Sequence, residues 1–289
     1  MSEPTLEIDI PAWVERARND PVSYRSRQAT EIILNAIAHT APLNHKLWLK
    51  GGVLMGIAYD SPRQTTDIDL TTSLTPGQEN ADTIVNLLDG AFPGIIAKLG
   101  YAGFVLAVHS VRLMPRGIGF EAEFPALKIK VGHAQAGTSA QRALMAGTAA
   151  EIVEIDISFN EPLSEVQVLG MPEGAELCAY SLTDLMAEKF RAMLQQVIRR
   201  RNRRQDVYDL DRLIGQHAFD DKMRAAIHAA FLLKCESRRI TPSIESLDDP
   251  EVKQRSGADW ETLALELGEL PEFEACYARV RQFYRALPW

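Results

Sequence analysis

The sequence predicts an α+β protein: a sheet-forming N-terminal half with flanking helices, then a helical C-terminal half. Two observations carry this. Short β-branched runs that alternate apolar and polar residues recur as far as Phe159, interleaved with helical periods. From about Pro172 the strand signals give out and helical periodicity dominates to Trp289. The expected division is residues 1–175 as an α/β domain and 176–289 as a helical domain closing a cleft, the usual place for a ligand.

In chain order, Tyr24 to His39 has helical spacing, with Ile32, Ile33, Ala36 and Ile37 as its apolar set. The apolar run Leu47-Trp48-Leu49 reads as a strand that stops before Gly51-Gly52. Val53 to Tyr59 is short and apolar, and Asp60-Ser61-Pro62 breaks it. Thr65 to Thr72 alternates as a half-buried strand should. Gln78 to Leu99 predicts one or two helices, with a break near Pro93-Gly94. Gly103–Leu113, Gly119–Val131 and Glu151–Phe159 are β-rich and should extend the sheet. Gly132 to Ala149, rich in Gly, Ala, Gln and Ser, reads as a loop. Leu182–Arg199, Gln205–Gln216, Asp220–Arg238, Asp259–Leu267 and Phe273–Leu287 then have helical periods.

The composition, 46% hydrophobic and 24% charged, is that of a globular chain. No apolar stretch approaches the ~20 residues of a membrane span, and the first residues lack a secretory pattern. We therefore expect a cytoplasmic protein with no membrane partner. Cys178, Cys235 and Cys276 are odd in number and widely spaced, as idle thiols of a reducing compartment would be. The net charge of −8 excludes nucleic-acid binding driven by overall charge. Locally, Arg199, Arg200, Arg201, Arg203 and Arg204 form either a solvated helix end or a phosphate contact.

Chemistry concentrates on three strings. Side chains i and i+2 share one face of a strand, so Ile68 and Leu70 point to a core while Asp67 and Asp69 point away from it. Two adjacent carboxylates repel each other, and the pair is stable if one is protonated, if both are well solvated or if cations sit between them. Hard oxygens at this spacing suit Mg²⁺, which takes one or two carboxylates plus substrate phosphates. Gly51 and Gly52, lacking Cβ atoms, let backbone N–H groups approach a phosphate. In the second string, Glu154, Asp156 and Ser158 share the polar face of another alternating run. Lys128 and Lys130 on the preceding run are available to pair with these acids. In the third, Lys189 falls inside the apolar face formed by Leu182, Leu185, Met186 and Phe190. It must snorkel, pair with a buried acid or meet an anion. Asp206 similarly stacks with Leu210 and Leu213, leaving Asp209 more solvent-facing.

The string Lys50-Gly51-Gly52 … Arg63-Gln64-Thr65-Thr66-Asp67-Ile68-Asp69-Leu70 resembles the nucleotidyltransferase superfamily. More specifically it resembles the AbiEii-type branch, the toxins of bacterial abortive-infection and toxin–antitoxin pairs. Glu188-Lys189-Phe190-Arg191-Ala192 is similar to that branch's Lys-x-x-Ala segment. Arg204-Gln205-Asp206-Val207-Tyr208-Asp209-Leu210 is similar to its Arg-x-x-Asp-Leu helix, with Gln205 interrupting the usual Arg-Asp pair. Either Asp206 or Asp209 is then the counterpart of the helical aspartate.

The resemblance implies a nucleotidyltransferase-like mixed sheet and Mg²⁺ held by Asp67, Asp69 and Asp156, with Glu154 as the alternative third carboxylate. It implies catalytic roles for Asp67, Asp69, Asp156, Lys189 and Asp206, and nucleotide contacts from Lys50, Gly51, Gly52, Arg63, Thr66 and Lys189. An NTP would be the substrate, a tRNA 3′ end the acceptor, and Arg199, Arg200, Arg203 and Arg204 its contacts. A cognate antitoxin would be the protein partner. Two other readings are an antibiotic-type nucleotidyltransferase acting on a small molecule, and a non-enzymatic nucleotide- or partner-binding module.

Overall fold

Alternation of apolar and polar side chains builds the sheet. The computed structural model of the chain describes residues 4–289, which fall into two units. The first comprises the residues up to Ala58, Thr65–Glu161 and Gln167–Ala179. The second comprises Tyr59–Gln64, Pro162–Val166 and Tyr180–Trp289.

The first unit begins with β1 (Leu6–Glu7), α1 (Ile10–Glu15), α2 (Pro21–Ala38), α3 (Leu43–Lys46), β2 (Leu47–Lys50), α4 (Gly51–Ala58) and β3 (Ile68–Thr72). It continues with α5 (Gln78–Lys98), β4 (Phe104–Met114), β5 (Ala126–Gln135), α6 (Ser139–Met145), β6 (Ile152–Ser158), β7 (Val166–Gly170) and β8 (Glu176–Tyr180). The strands form one eight-stranded sheet in the order β1-β7-β8-β2-β3-β6-β5-β4. It is mixed: β3 runs parallel to β6, while β2–β3, β5–β6 and β4–β5 are antiparallel. On one face Ile68, Leu70, Leu127, Ile129, Val153, Ile155 and Ile157 are fully buried. Ile32, Ile33, Ala36 and Ile37 of α2 and Ile84, Leu88 and Phe92 of α5 are buried with them. Each such aliphatic side chain contributes about 2 kcal/mol by leaving water.

Several expectations are corrected. No break interrupts α5 at Pro93. The proline lies on the exposed side of the helix, where water can satisfy the carbonyl it leaves without an N–H partner. Gly132–Ala149 is only partly a loop, because β5 continues through Gln135 and α6 follows. A Cβ on Gly132 would lie 2.5 Å from Leu144 Cδ1, so the missing side chain makes room for α6 against the strand. Strand signals do not end at Pro172: Glu176–Tyr180 is β8, beside β2. Its Leu-Cys-Ala-Tyr sequence is buried rather than alternating, so the period-2 pattern is absent.

The second unit holds α7 (Leu182–Arg199), α8 (Arg204–Gln216), α9 (Asp221–Ser237), α10 (Pro250–Gly257), α11 (Ala264–Leu267) and α12 (Phe273–Arg285). Ser181 caps α7, its Oγ accepting from Asp184 N at 3.1 Å. The Asp184 carboxylate accepts instead from the backbone N–H groups of Ser164 and Glu165, the latter at 2.8 Å. Lys234 of α9 sits 3.0 Å from the same carboxylate and donates to Pro162 O at 2.8 Å. Both side chains are essentially sealed from solvent. Cys178, Cys235 and Cys276 are buried free thiols. Burial pushes Cys235 and Cys276 up to about 12, which makes them inert at neutral pH.

Lys234→Met should cost about 3 kcal/mol, because a sealed carboxylate loses its cation. Urea denaturation at neutral pH measures this.

Candidate active site

The polar face of the sheet in the first unit carries the acids. Asp69 and Asp156 are direct partners in the β3–β6 register, flanked by the buried pairs Ile68–Ile155 and Leu70–Ile157. Neighbouring strands lie about 4.8 Å apart, so the two carboxylates stand side by side. Asp67 immediately precedes β3 and is exposed. Its Oδ1 accepts from the Thr66 hydroxyl at 3.3 Å. Partial desolvation and the nearby Glu154 carboxylate raise the Asp67 carboxyl above its ordinary value.

The row extends across four strands: Lys50 pairs with Asp69, Asp69 with Asp156, and Asp156 with Lys128. Lys128 Nζ is 2.9 Å from Asp156 Oδ2, and Lys130 Nζ is 2.8 Å from Glu154 Oε1. The hydrogen bond from Lys130 holds Glu154 below the usual carboxylate range, and Asp156 in the same way holds Lys128 above the usual lysine range.

Lys50 does not point to open solvent. Its ammonium lies 2.6 Å from Glu161 and 3.2 Å from Ser158 Oγ, and both charged side chains are about nine-tenths buried. Nothing in the sequence marks Glu161 as its partner; only the β3–β6 pairing brings it near. Gly51 opens α4 with φ +71°, and a Cβ there would lie 2.2 Å from Asp69 Oδ2. Glycine is therefore required at this position first to seat Asp69. Gly52 follows it, buried, in the first turn of the helix.

In the second unit Lys189 is buried and pairs with acids, one of the outcomes the sequence left open. Its Nζ lies 2.6 Å from Asp209 Oδ2 and 3.4 Å from Asp206 Oδ1. Arg63 donates to Asp209 through Nε at 3.4 Å and through a terminal nitrogen at 3.3 Å, and lies 3.7 Å from Glu266. Asp209 is thus the most buried acid of the cluster, at 0% exposure, and not solvent-facing as its wheel position predicted. A carboxylate flanked by two cations can be sealed where an unpaired one cannot. The signal for it was the anomalous Lys189, which needed an acid. Burial opposes both charges, but the attraction of Lys189 and Arg63 keeps Asp209 below its ordinary value. Asp209 and Asp206 likewise keep Lys189 above its own.

Arg199 ends α7, and Arg200 takes the left-handed cap at φ 50°. Arg199, Arg200 and Arg201 are exposed; Arg203 and Arg204 are partly covered, with Arg203 3.8 Å from Asp206. The structure therefore brings Lys50, Gly51, Asp67, Asp69 and Asp156 together on one sheet face, with Thr66 on Asp67. Separately, in the other unit, it brings together Arg63, Lys189, Asp206 and Asp209.

No three carboxylate, histidine or cysteine side chains among the described residues are placed together so as to hold a metal ion. The donors nevertheless suit Mg²⁺, which needs one or two carboxylates and completes its shell with water and phosphate. Asp67, Asp69 and Asp156 offer only hard oxygens on adjacent strands, and each is at least partly exposed.

The profile of the nucleotidyl transferase AbiEii toxin family, a type IV toxin–antitoxin system, matches residues 32–279. The chain belongs to this family. It is a nucleotidyltransferase toxin, and membership brings the expectation of an NTP substrate and a cognate antitoxin. Among solved structures, this AbiEii-family chain is similar to MenT4, a nucleotidyltransferase toxin from Mycobacterium tuberculosis H37Rv. The TM-score is 0.58 and the identity 20%, over 96% of this chain and 88% of that one, a likeness of fold. Comparison with curated proteins gave no match. No helix among the described residues is long and apolar enough to cross a membrane.

Lys189→Met should destabilise the protein by about 3 kcal/mol, because Asp209 keeps only Arg63. Lys189→Met combined with Asp209→Leu should recover most of the loss. Denaturant midpoints of the two variants decide this. Asp209 stays ionised below its ordinary 3.8, so its contribution is complete above about pH 5 and fades as the pH falls below ~4. That acid-side loss should be absent in the double variant.

Proposed function

We propose that this toxin transfers a nucleotide from an NTP to an RNA acceptor, the 3′ end of a tRNA, in a Mg²⁺-dependent reaction. The in-register pairing of Asp69 with Asp156, with Asp67 beside them, is the observation that carries the reading. These three carboxylates would hold the ion, which when bound offsets charge on the triphosphate and activates oxygen nucleophiles. Asp156 is the carboxylate we assign to orient the attacking hydroxyl and accept its proton. Thr66 fixes the Asp67 carboxylate by donating to it.

Gly51 and Gly52 present backbone N–H groups at the start of α4, next to Asp69, where a phosphate would be received. Lys50 is held beside the same acids by Glu161, in an ion pair without net charge. Lys189 is kept protonated by Asp209 and Asp206. Asp209 is the closer of the two and is the better counterpart of the family's helical aspartate. Arg63 steadies Asp209. For the acceptor, the exposed run Arg199–Arg201 supports a polyanion on a chain whose net charge is −8.

Incubation with each α-labelled NTP, Mg²⁺ and total RNA should place label in a tRNA-sized band. Label that appears only on an added small molecule, or nowhere, overturns the acceptor assignment. Asp69→Asn and Asp67→Asn should lower transfer by roughly 10²-fold or more, the scale of losing one group that stabilises transition-state charge. The metal-free melting temperature should hold or rise, since repulsion between neighbouring carboxylates is relieved. A marked drop in that temperature would make the pair structural.

A further inference from the structure

The charged pairs of the first unit differ in how firmly they are sealed. Lys50–Glu161 has side chains 10% and 9% exposed. Lys128–Asp156 is open, at 40% and 31%, and Lys130–Glu154 is similar at 35% and 37%. Lys128 nevertheless occupies part of the coordination space of Asp156, 2.9 Å from Oδ2 of the carboxylate that the reading above gives to a divalent cation. An ammonium at that distance repels an approaching divalent cation and takes one of the carboxylate's roughly four lone-pair sites. The open pair is the one that can exchange.

We propose that Lys128 is the resident counter-ion of the acid row, occupying Asp156 until a divalent cation displaces it. Lys130 serves Glu154 in the same way, one step along β5 and β6. The proposal rests on the metal reading of Asp67, Asp69 and Asp156. It explains why two carboxylates in direct register are tolerated without a metal: Lys50 lies in register on one side and Lys128 on the other. Once displaced, the Lys128 ammonium stays on the same sheet face. Its other neighbour in register is Arg112 on β4, which is exposed. Lys128 and Arg112 then lie on neighbouring strands, one and two strands from Asp156, two cations suited to a phosphate oxygen of either the NTP or the RNA backbone.

The test is Mn²⁺ binding followed by electron paramagnetic resonance, without nucleotide, on the full chain. Wild type should bind Mn²⁺, Asp156→Asn should bind it at least 10-fold more weakly, and Lys128→Met about 10-fold more tightly. Lys128→Gln should move in the same direction, which keeps the test valid if the methionine variant folds poorly. Lys128→Arg should stay near wild type. Equal or weaker Mn²⁺ binding by both Lys128→Met and Lys128→Gln, with Asp156→Asn impaired, overturns the counter-ion role while leaving the metal reading intact. No Mn²⁺ binding by wild type, or binding that Asp156→Asn does not change, overturns the metal reading itself. With Mn²⁺ saturating, Lys128→Met should raise KM for the NTP if the freed ammonium meets the triphosphate, or for the RNA if it meets the phosphodiester backbone. No change in either removes the phosphate contact.

Discussion

The parallel pairing of β3 with β6 is the constraint on which the site depends. Ile68–Ile155 and Leu70–Ile157 are buried pairs, and Asp69–Asp156 lies between them on the opposite face. Side-chain direction alternates with period 2, so a slip of one residue would drive carboxylates into the core and aliphatics into water. The core therefore fixes the register, and the register sets the two acids together. Burial of four aliphatic side chains outweighs the repulsion of one carboxylate pair, which the sheet holds partly in solvent.

The two units handle charge differently. On the sheet, two acids stand between two bases along the row, and the Lys128–Asp156 and Lys130–Glu154 pairs are partly hydrated, weak and replaceable. In the helical unit, Lys189, Arg63 and Asp209 are almost wholly withdrawn from water. Withdrawn charges must be matched in number and geometry, so that cluster is sensitive to any single substitution. The open row suits ions that come and go. The sealed cluster suits a protonation state that must not change across the physiological range.

Much of this was legible because it is local. The alternation over Thr65–Thr72 and Glu151–Phe159 predicts both strands and the faces of Asp69 and Asp156, although β3 starts only at Ile68 and leaves Asp67 just before it. What was not legible depends on distant partners. Leu-Cys-Ala-Tyr in β8 lacks alternation because it is buried on both faces, and so reads as nothing in particular. Glu161 lies far along the chain from Lys50, and no spacing rule links them. Asp209 looked solvent-facing because a wheel sees one helix, whereas its cations come from α7 and from the segment before β3.

Arg63 reaches Asp209 from Tyr59–Gln64, a short detour of the chain between α4 and β3. Pro162–Val166 makes a second detour, where Asp184 receives the N–H groups of Ser164 and Glu165. The helical unit is therefore assembled from three stretches of sequence, two of them embedded in the gene region that encodes the sheet. Recombination near residue 180 would deliver helices with Asp209 and Asp184 but without the guanidinium and amides that satisfy them. The helical half is thus no portable cassette: it must be inherited together with the sheet, and sequence drift in either half is answerable to the other.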